Sequence, residues 1–230
     1  MSLLSIAQST VKACGFAVPN TIVGNTDNTA MMLLALVNKA GKQLAKLPWQ
    51  TLQKEYTFNL ANGTQTYAFP SDLGHFRNET FWNRSQFWSM RGSLTAMQWQ
   101  LFKSGIQTTM PRQRFRIRNN LIYIDPTPTA ADAVVIEYIS KNWVTDGSSF
   151  FNGYTTDTQT SLIDEDLMEL ELTWRFLERK GLAYAEARDE SDHMRERLLG
   201  RDIPKQTLDF GVGGADIWPP IPTVPTTGYS

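Results

Sequence analysis

Four arginines at alternate positions, Arg112, Arg114, Arg116 and Arg118, form the sharpest chemical pattern in the chain. A period of two places them on one face of a strand, with Phe115 and Ile117 on the other. Four like charges on one face repel, so a counter-charge is wanted: DNA backbone, an acidic partner surface, or solvent and local carboxylates. Other candidates for chemistry are thin. His75 and His193 have no cysteine partner and no H-x-x-x-H spacing, so no metal site is expected. Gly211-Val212-Gly213-Gly214 follows a helical stretch and precedes prolines, the wrong context for a loop that cradles phosphate. Asp164, Glu165 and Asp166 contain the residue types of a glycosidase pair, but the helix dipole alone favours acids at a helix start. No serine or cysteine comes with a placed base, and no catalytic residue is singled out.

The elements that must position these residues fall into three regions and a tail. In residues 1–48, Ser2 caps a helix reaching about Cys14, and Asp27 caps a longer one ending before Pro48. Leu33, Leu36, Val37, Ala40, Leu44 and Leu47 share one stripe of that helix, while Lys39, Lys42 and Lys46 form a wet basic back. Residues 49–143 read as short strands, with hairpin signals at Asn62-Gly63 and Asn119-Asn120. Residues 95–104 give one or two helical turns, and 134–140 a buried strand. Five to seven short strands suggest a small sandwich or barrel. Residues 144–160 are rich in Gly, Ser, Thr and Asp and long enough for a mobile loop.

Residues 161–200 return to helix. Ile163, Leu167, Leu170, Trp174 and Leu177 line one stripe, and Met168, Leu172 and Phe176 a second one well round the same helix. Two stripes imply a sandwiched helix, with Met168, Leu172 and Phe176 packing on the β domain or an adjacent subunit. Glu171 and Arg175 sit at i,i+4 on the strip that remains wet. After Gly181, a last helix presents Ala183, Ala187, Ser191, Met194 and Leu198 on one face. The fold class is α+β: a helical bundle interrupted by an inserted small antiparallel β domain, with an extended C-terminal arm.

That arm, residues 201–230, carries Pro204, Pro219, Pro220, Pro222 and Pro225, which oppose helix and sheet. It also carries Phe210, Ile217 and Trp218, aromatic and apolar in a way that disordered tails are not. Such a segment reads as a strap laid on a surface, with those three residues as its anchors. Fully extended, the stretch after Pro204 spans roughly 80 Å, about twice the width of a compact domain of this size.

With 22 Lys/Arg against 23 Asp/Glu, the chain has no global basic field for nucleic acid. The balance hides a polarity: residues 51–143 carry ten Lys/Arg against six Asp/Glu, and residues 161–205 eight against twelve. The single Cys14 excludes an intramolecular disulfide, and no stretch has the length and apolarity of a membrane span.

Several stretches resemble the head-to-tail adaptor (connector) proteins of tailed bacteriophages, in particular the tail-tubular and gatekeeper-like group of short-tailed phages. They are Leu47-Pro48-Trp49, Tyr67 to Leu73, Met97-Gln98-Trp99, Ile124 to Pro128, Glu137 to Trp143, and Leu170 to Ala187 with Trp174-Arg175-Phe176-Leu177 and Lys180-Gly181-Leu182. The resemblance implies a helical domain with an inserted β domain, assembled as a twelve-fold ring beneath the portal protein. It implies a DNA channel continued toward a tail (nozzle) protein without sequence-specific binding, and a C-terminal arm attached to the portal. It further implies a non-enzymatic virion component of the neck, made in the host cytoplasm and needing no cofactor. Two other classes stand beside it: a tail-associated cell-wall-degrading glycosidase, and a DNA-binding module.

Overall fold

A computed structural model describes residues 1–104 and 113–202. Helix α1 (Leu3–Ala13) starts where Ser2 Oγ accepts the Ser5 N–H, and α2 (Asn28–Leu44) where Asp27 accepts from Thr29 and Ala30. A 3₁₀ turn at Gln50–Leu52 leads into β1 (Gln53–Asn59), followed by β2 (Thr66–Ala68), β3 (Leu73–Phe76), β4 (Trp82–Asn83) and β5 (Trp88–Ser89). Helix α3 (Ala96–Lys103) opens on a capping box between Thr95 and Gln98. Strands β6 (Arg114–Arg118), β7 (Leu121–Asp125) and β8 (Ala133–Ser140) follow, then the short β9 (Val144–Thr145), β10 (Phe150–Phe151) and β11 (Thr160–Ser161). Helices α4 (Glu165–Lys180) and α5 (Ala185–Asp202) end the described chain. The fold is mixed α+β, with five α-helices and three antiparallel sheets among the described residues.

Strand β8 is the spine. Its sequence AVVIEYIS is almost wholly apolar, as a strand covered on both faces must be. β1 pairs along one edge over its full length, from Gln53 opposite Ile139 to Asn59 opposite Ala133. β3 and β4 share the other edge, at the Tyr138–Ser140 end and at Val134–Val135 respectively. β8 also joins two separate cores. Ile139 belongs to a cluster with Leu3, Leu33, Trp143, Leu167 and Phe176, whereas Val134 and Ile136 belong to one with Phe69, Phe81, Phe115 and Ile122. In the second cluster the sheet containing β8 faces the three-stranded sheet β2-β7-β6, and the Phe81 and Phe115 rings stack 3.8 Å apart across the gap. In the first, Gly41 gives α2 its closest approach to Trp143, where a Cβ would lie 2.1 Å from ring carbons.

Three expectations need correction. Asn62-Gly63 makes a turn with Gly63 at φ 78°, but no hairpin: β1 pairs β8 and β2 pairs β7, so the turn passes the chain between sheets. Residues 144–160 are a packed structure rather than a loose loop. β9 is flanked by β10 and β11, Asp157 accepts the Ile22 and Val23 N–H groups, and Tyr154 is buried edge-on against Trp143. Polar side chains there bond local backbone, which composition alone reads as looseness. The third is on α4, where Glu171 and Arg175, expected on a wet strip, are buried.

Candidate interaction surfaces

The arginine strand owes its geometry to Asn119 and Asn120, at φ 52° and 56°, the two left-handed positions of a tight hairpin. That turn sets Arg114 opposite Asp125, Arg116 opposite Tyr123 and Arg118 opposite Leu121. Phe115 is buried beneath, so alternation turns Arg114, Arg116 and Arg118 to the other face, as their spacing predicts. Arg112 lies outside the described residues. Helix α3 borders this face, a feature the sequence reading missed. The Arg114 guanidinium lies 4.7 Å from the Phe102 ring, Arg118 lies 4.9 Å from Tyr123, and Lys103 bonds Asp125 while lying 5.5 Å from Trp99. The amphipathic spacing of Trp99, Phe102 and Lys103 could have suggested a helix seated on a sheet. The three arginines and Lys103 thus gather beside three aromatic rings and the carboxylate of Asp125.

On α4 both stripes exist, but they do not face separate surfaces: Ile163 and Leu167 of the first stripe are buried in one core with the whole of the second. Met168, Leu172 and Phe176 have no exposed surface and pack in the same core as Leu33 and Leu3, with Phe16 edge-on to Phe176 at 5.3 Å. A second subunit cannot reach them without opening the chain's own core. Leu170 and Trp174 are half-buried on the side of α5, which packs Met194 and Leu198 on the helical core and buries Ser191, whereas Ala183, expected on that face, precedes α5 and is exposed. The supposedly wet Glu171 and Arg175 are 1% and 6% exposed. Arg175 holds the Glu171 carboxylate and reaches Gln43 Oε1 of α2 at 2.7 Å. Trp174 Nε1 donates to Glu171 at 3.1 Å, and Arg195 of α5 approaches its other oxygen at 3.4 Å. Glu171 and Arg175 together therefore link α4 to α5 and to α2.

A second polar knot sits where β8 passes from one core to the other. Asp72 accepts from Lys54 Nζ and Ser140 Oγ, both at 2.9 Å, and from the Tyr138 hydroxyl at 2.8 Å. Burial by itself pushes the Asp72 carboxyl up. The hydrogen bonds from Lys54, Tyr138 and Ser140, with the Lys54 charge, outweigh it and hold the group below the usual carboxylate range. Burial, reinforced by the Asp72 carboxylate, raises the Tyr138 phenol.

The acidic start of α4 is spent on the fold. Asp164 caps the helix through the Leu167 N–H at 3.1 Å, and Glu165 meets the N-terminal amine. A cleft of about 480 Å³ beside it also contains Asp202, whose carboxylate accepts the Gln50 N–H at 2.7 Å. Both carboxylates are committed to backbone groups rather than poised as an acid and a base. His75 is on β3 and His193 on α5, in separate parts of the fold. Phe210, Ile217 and Trp218 lie outside the described residues.

The Glu171 and Asp72 knots tie elements of the chain's own fold together. The model of the family described as SU10 adaptor protein matches residues 11–209, most of the chain, and the chain belongs to that family. Its role is that of a structural adaptor of a phage particle. Comparison with curated proteins gives no match. No helix among the described residues is long and apolar enough to cross a membrane.

Proposed function

We propose that the chain is the head-to-tail adaptor of a short-tailed phage, with copies arranged as a twelve-fold ring beneath the portal that continues the DNA channel to the tail. The family match over residues 11–209 carries this reading. The reading divides the chain into a helical unit, residues 1–48 and 161–200, and a β unit, residues 49–143; two separate cores support the division, with Trp49, Leu52, Ile139 and Trp143 at the ends of the β unit packing into the helical core. Arg114, Arg116 and Arg118, joined by Arg112, face the channel or a partner, since guanidinium groups on one face are not buried unpaired. Residues 201–230 serve as the arm, with Phe210, Ile217 and Trp218 anchoring it to the portal. α5 delivers the arm at Asp202, which is fastened to Gln50 at the start of the β unit. Each buried apolar anchor contributes about 1.5–3 kcal/mol, and many arms acting together make docking durable.

Deleting residues 207–230 and imaging the product mixed with its portal by negative-stain microscopy tests the reading. The full chain forms a ring on the portal, and the shortened chain stays folded and soluble but does not join it. Unfolding of the shortened chain, or undiminished portal binding, would overturn the arm's role. Absence of any ring from the full chain would overturn the adaptor geometry.

A further inference from the structure

Lys42, in the last turn of α2, and Lys46, just past its C-cap, need no explanation by themselves, because a wet helix end is ordinarily basic. The tertiary structure, however, brings Lys141, at the end of β8, and His75 of β3 to the same place. The four basic residues line a cleft of about 330 Å³ together with Leu73 and Gly74, and no carboxylate is among its lining residues. The register of β3 on β8 shifts between Leu73 and His75, a bulge of the kind that re-aims the following side chain. At Gly74 the two strands approach so closely that a Cβ would lie 2.8 Å from the Ile139 carbonyl oxygen. The cleft is thus built by three elements, not spread over one.

Among the described residues none of these four side chains has an ion-pair partner. Asp72, just before the bulge, is taken up by Lys54, Tyr138 and Ser140. The C-terminal end of α2 offers only about half a negative charge through its dipole, against three lysine ammonium groups. A liquid water occupies about 30 Å³, so the cleft has room for a hydrated polyatomic anion. We infer that it is a phosphate-binding site, taking a phosphate or phosphodiester group between Lys42, Lys46, Lys141 and His75. Several ammonium groups lining one cleft suit a compact anion of about two charges, and lysine binds phosphate as a point charge without needing the planar match that favours arginine for carboxylates. The inference stands on the cleft alone and does not depend on ring assembly or on the arm.

Titration calorimetry of the full chain with inorganic pyrophosphate, a short DNA duplex and a glutamate-rich peptide tests it. Pyrophosphate binds saturably, and the Lys42→Gln, Lys46→Gln, Lys141→Gln triple variant weakens it roughly tenfold or more, given the strength of charge-assisted hydrogen bonds. Lys12→Gln, on α1 and outside the cleft, leaves it unchanged. If the duplex displaces pyrophosphate, the natural source is a nucleic-acid backbone; if it does not, the source is a small phosphate compound, and either result supports the site. The lysines are exposed, so the variant should keep the wild-type melting temperature; if it does not, Lys141→Gln alone serves as the variant. No saturable pyrophosphate binding, wild-type affinity in the lysine variants, or equally tight binding of the glutamate peptide would overturn the inference.

Discussion

Arg175 on α4 and Arg116 on β6 are the same residue placed by equally regular spacing, yet the fold treats them in opposite ways. Arg175 is buried against Glu171, Gln43 and the Trp174 ring, whose centroid is 4.2 Å from the guanidinium carbon. Arg116 is half-exposed beside Tyr123, on a face with two other arginines. The i,i+4 pair has the spacing of a surface ion pair, worth a few tenths of a kcal/mol. α5 covers it, and burial turns it into a structural knot. Spacing says which residues share a face; it does not say which face another element covers.

The largest expected effect is at the buried end of this comparison. Glu171→Ala leaves Arg175 buried without its carboxylate and removes the partner of Trp174 and Arg195, so it costs about 3–5 kcal/mol. Urea denaturation measures it, and a loss below 1 kcal/mol would mean that Arg175 swings out to solvent at little cost.

The knot at Asp72 lies between the extremes. Replacing Asp72 with Asn weakens three hydrogen bonds, one from a charged lysine, and costs about 1–3 kcal/mol at neutral pH. The folded-state carboxyl is held below its unfolded value. Its contribution is therefore fully present above the unfolded value, near 3.9, and is lost as pH falls through the lower folded value. The variant should differ most from wild type near neutrality and converge with it in acid. Melting temperatures against pH give the answer, and a gap that stayed constant into strong acid would show that charge is not what Asp72 supplies.

The smallest effect is at the exposed end. Arg116→Gln should change stability by no more than about 0.5 kcal/mol, whereas Arg118→Gln, which loses a ring contact at 4.9 Å, costs about 0.5–1 kcal/mol. Thermal melts of the two variants measure both. A loss of several kcal/mol from Arg116→Gln would place that residue with Arg175 and erase the contrast.

What local chemistry dictates was legible. Ser2, Asp27, Thr95 and Asp164 announce their helices, because a cap acts within three residues. Asn119-Asn120 announces a hairpin that forms, because both residues tolerate positive φ. Period two put Phe115 inward and three arginines on the opposite face before any partner strand was known.

The sequence by itself determined the helices, most strands of residues 49–143, the arginine alternation and a chain pattern specific enough to resemble phage adaptors. Only the tertiary structure decided that β1 pairs with β8, that Met168, Leu172 and Phe176 are core, that Glu171 is buried, and that Lys141 and His75 join Lys42 and Lys46. The reason is the range of the forces. Backbone preference and capping are fixed by near neighbours, whereas burial is fixed by whatever the chain folds over a residue. Closing a longer loop costs only slightly more free energy, so a distant segment competes almost equally with a near one, and side-chain packing selects between them.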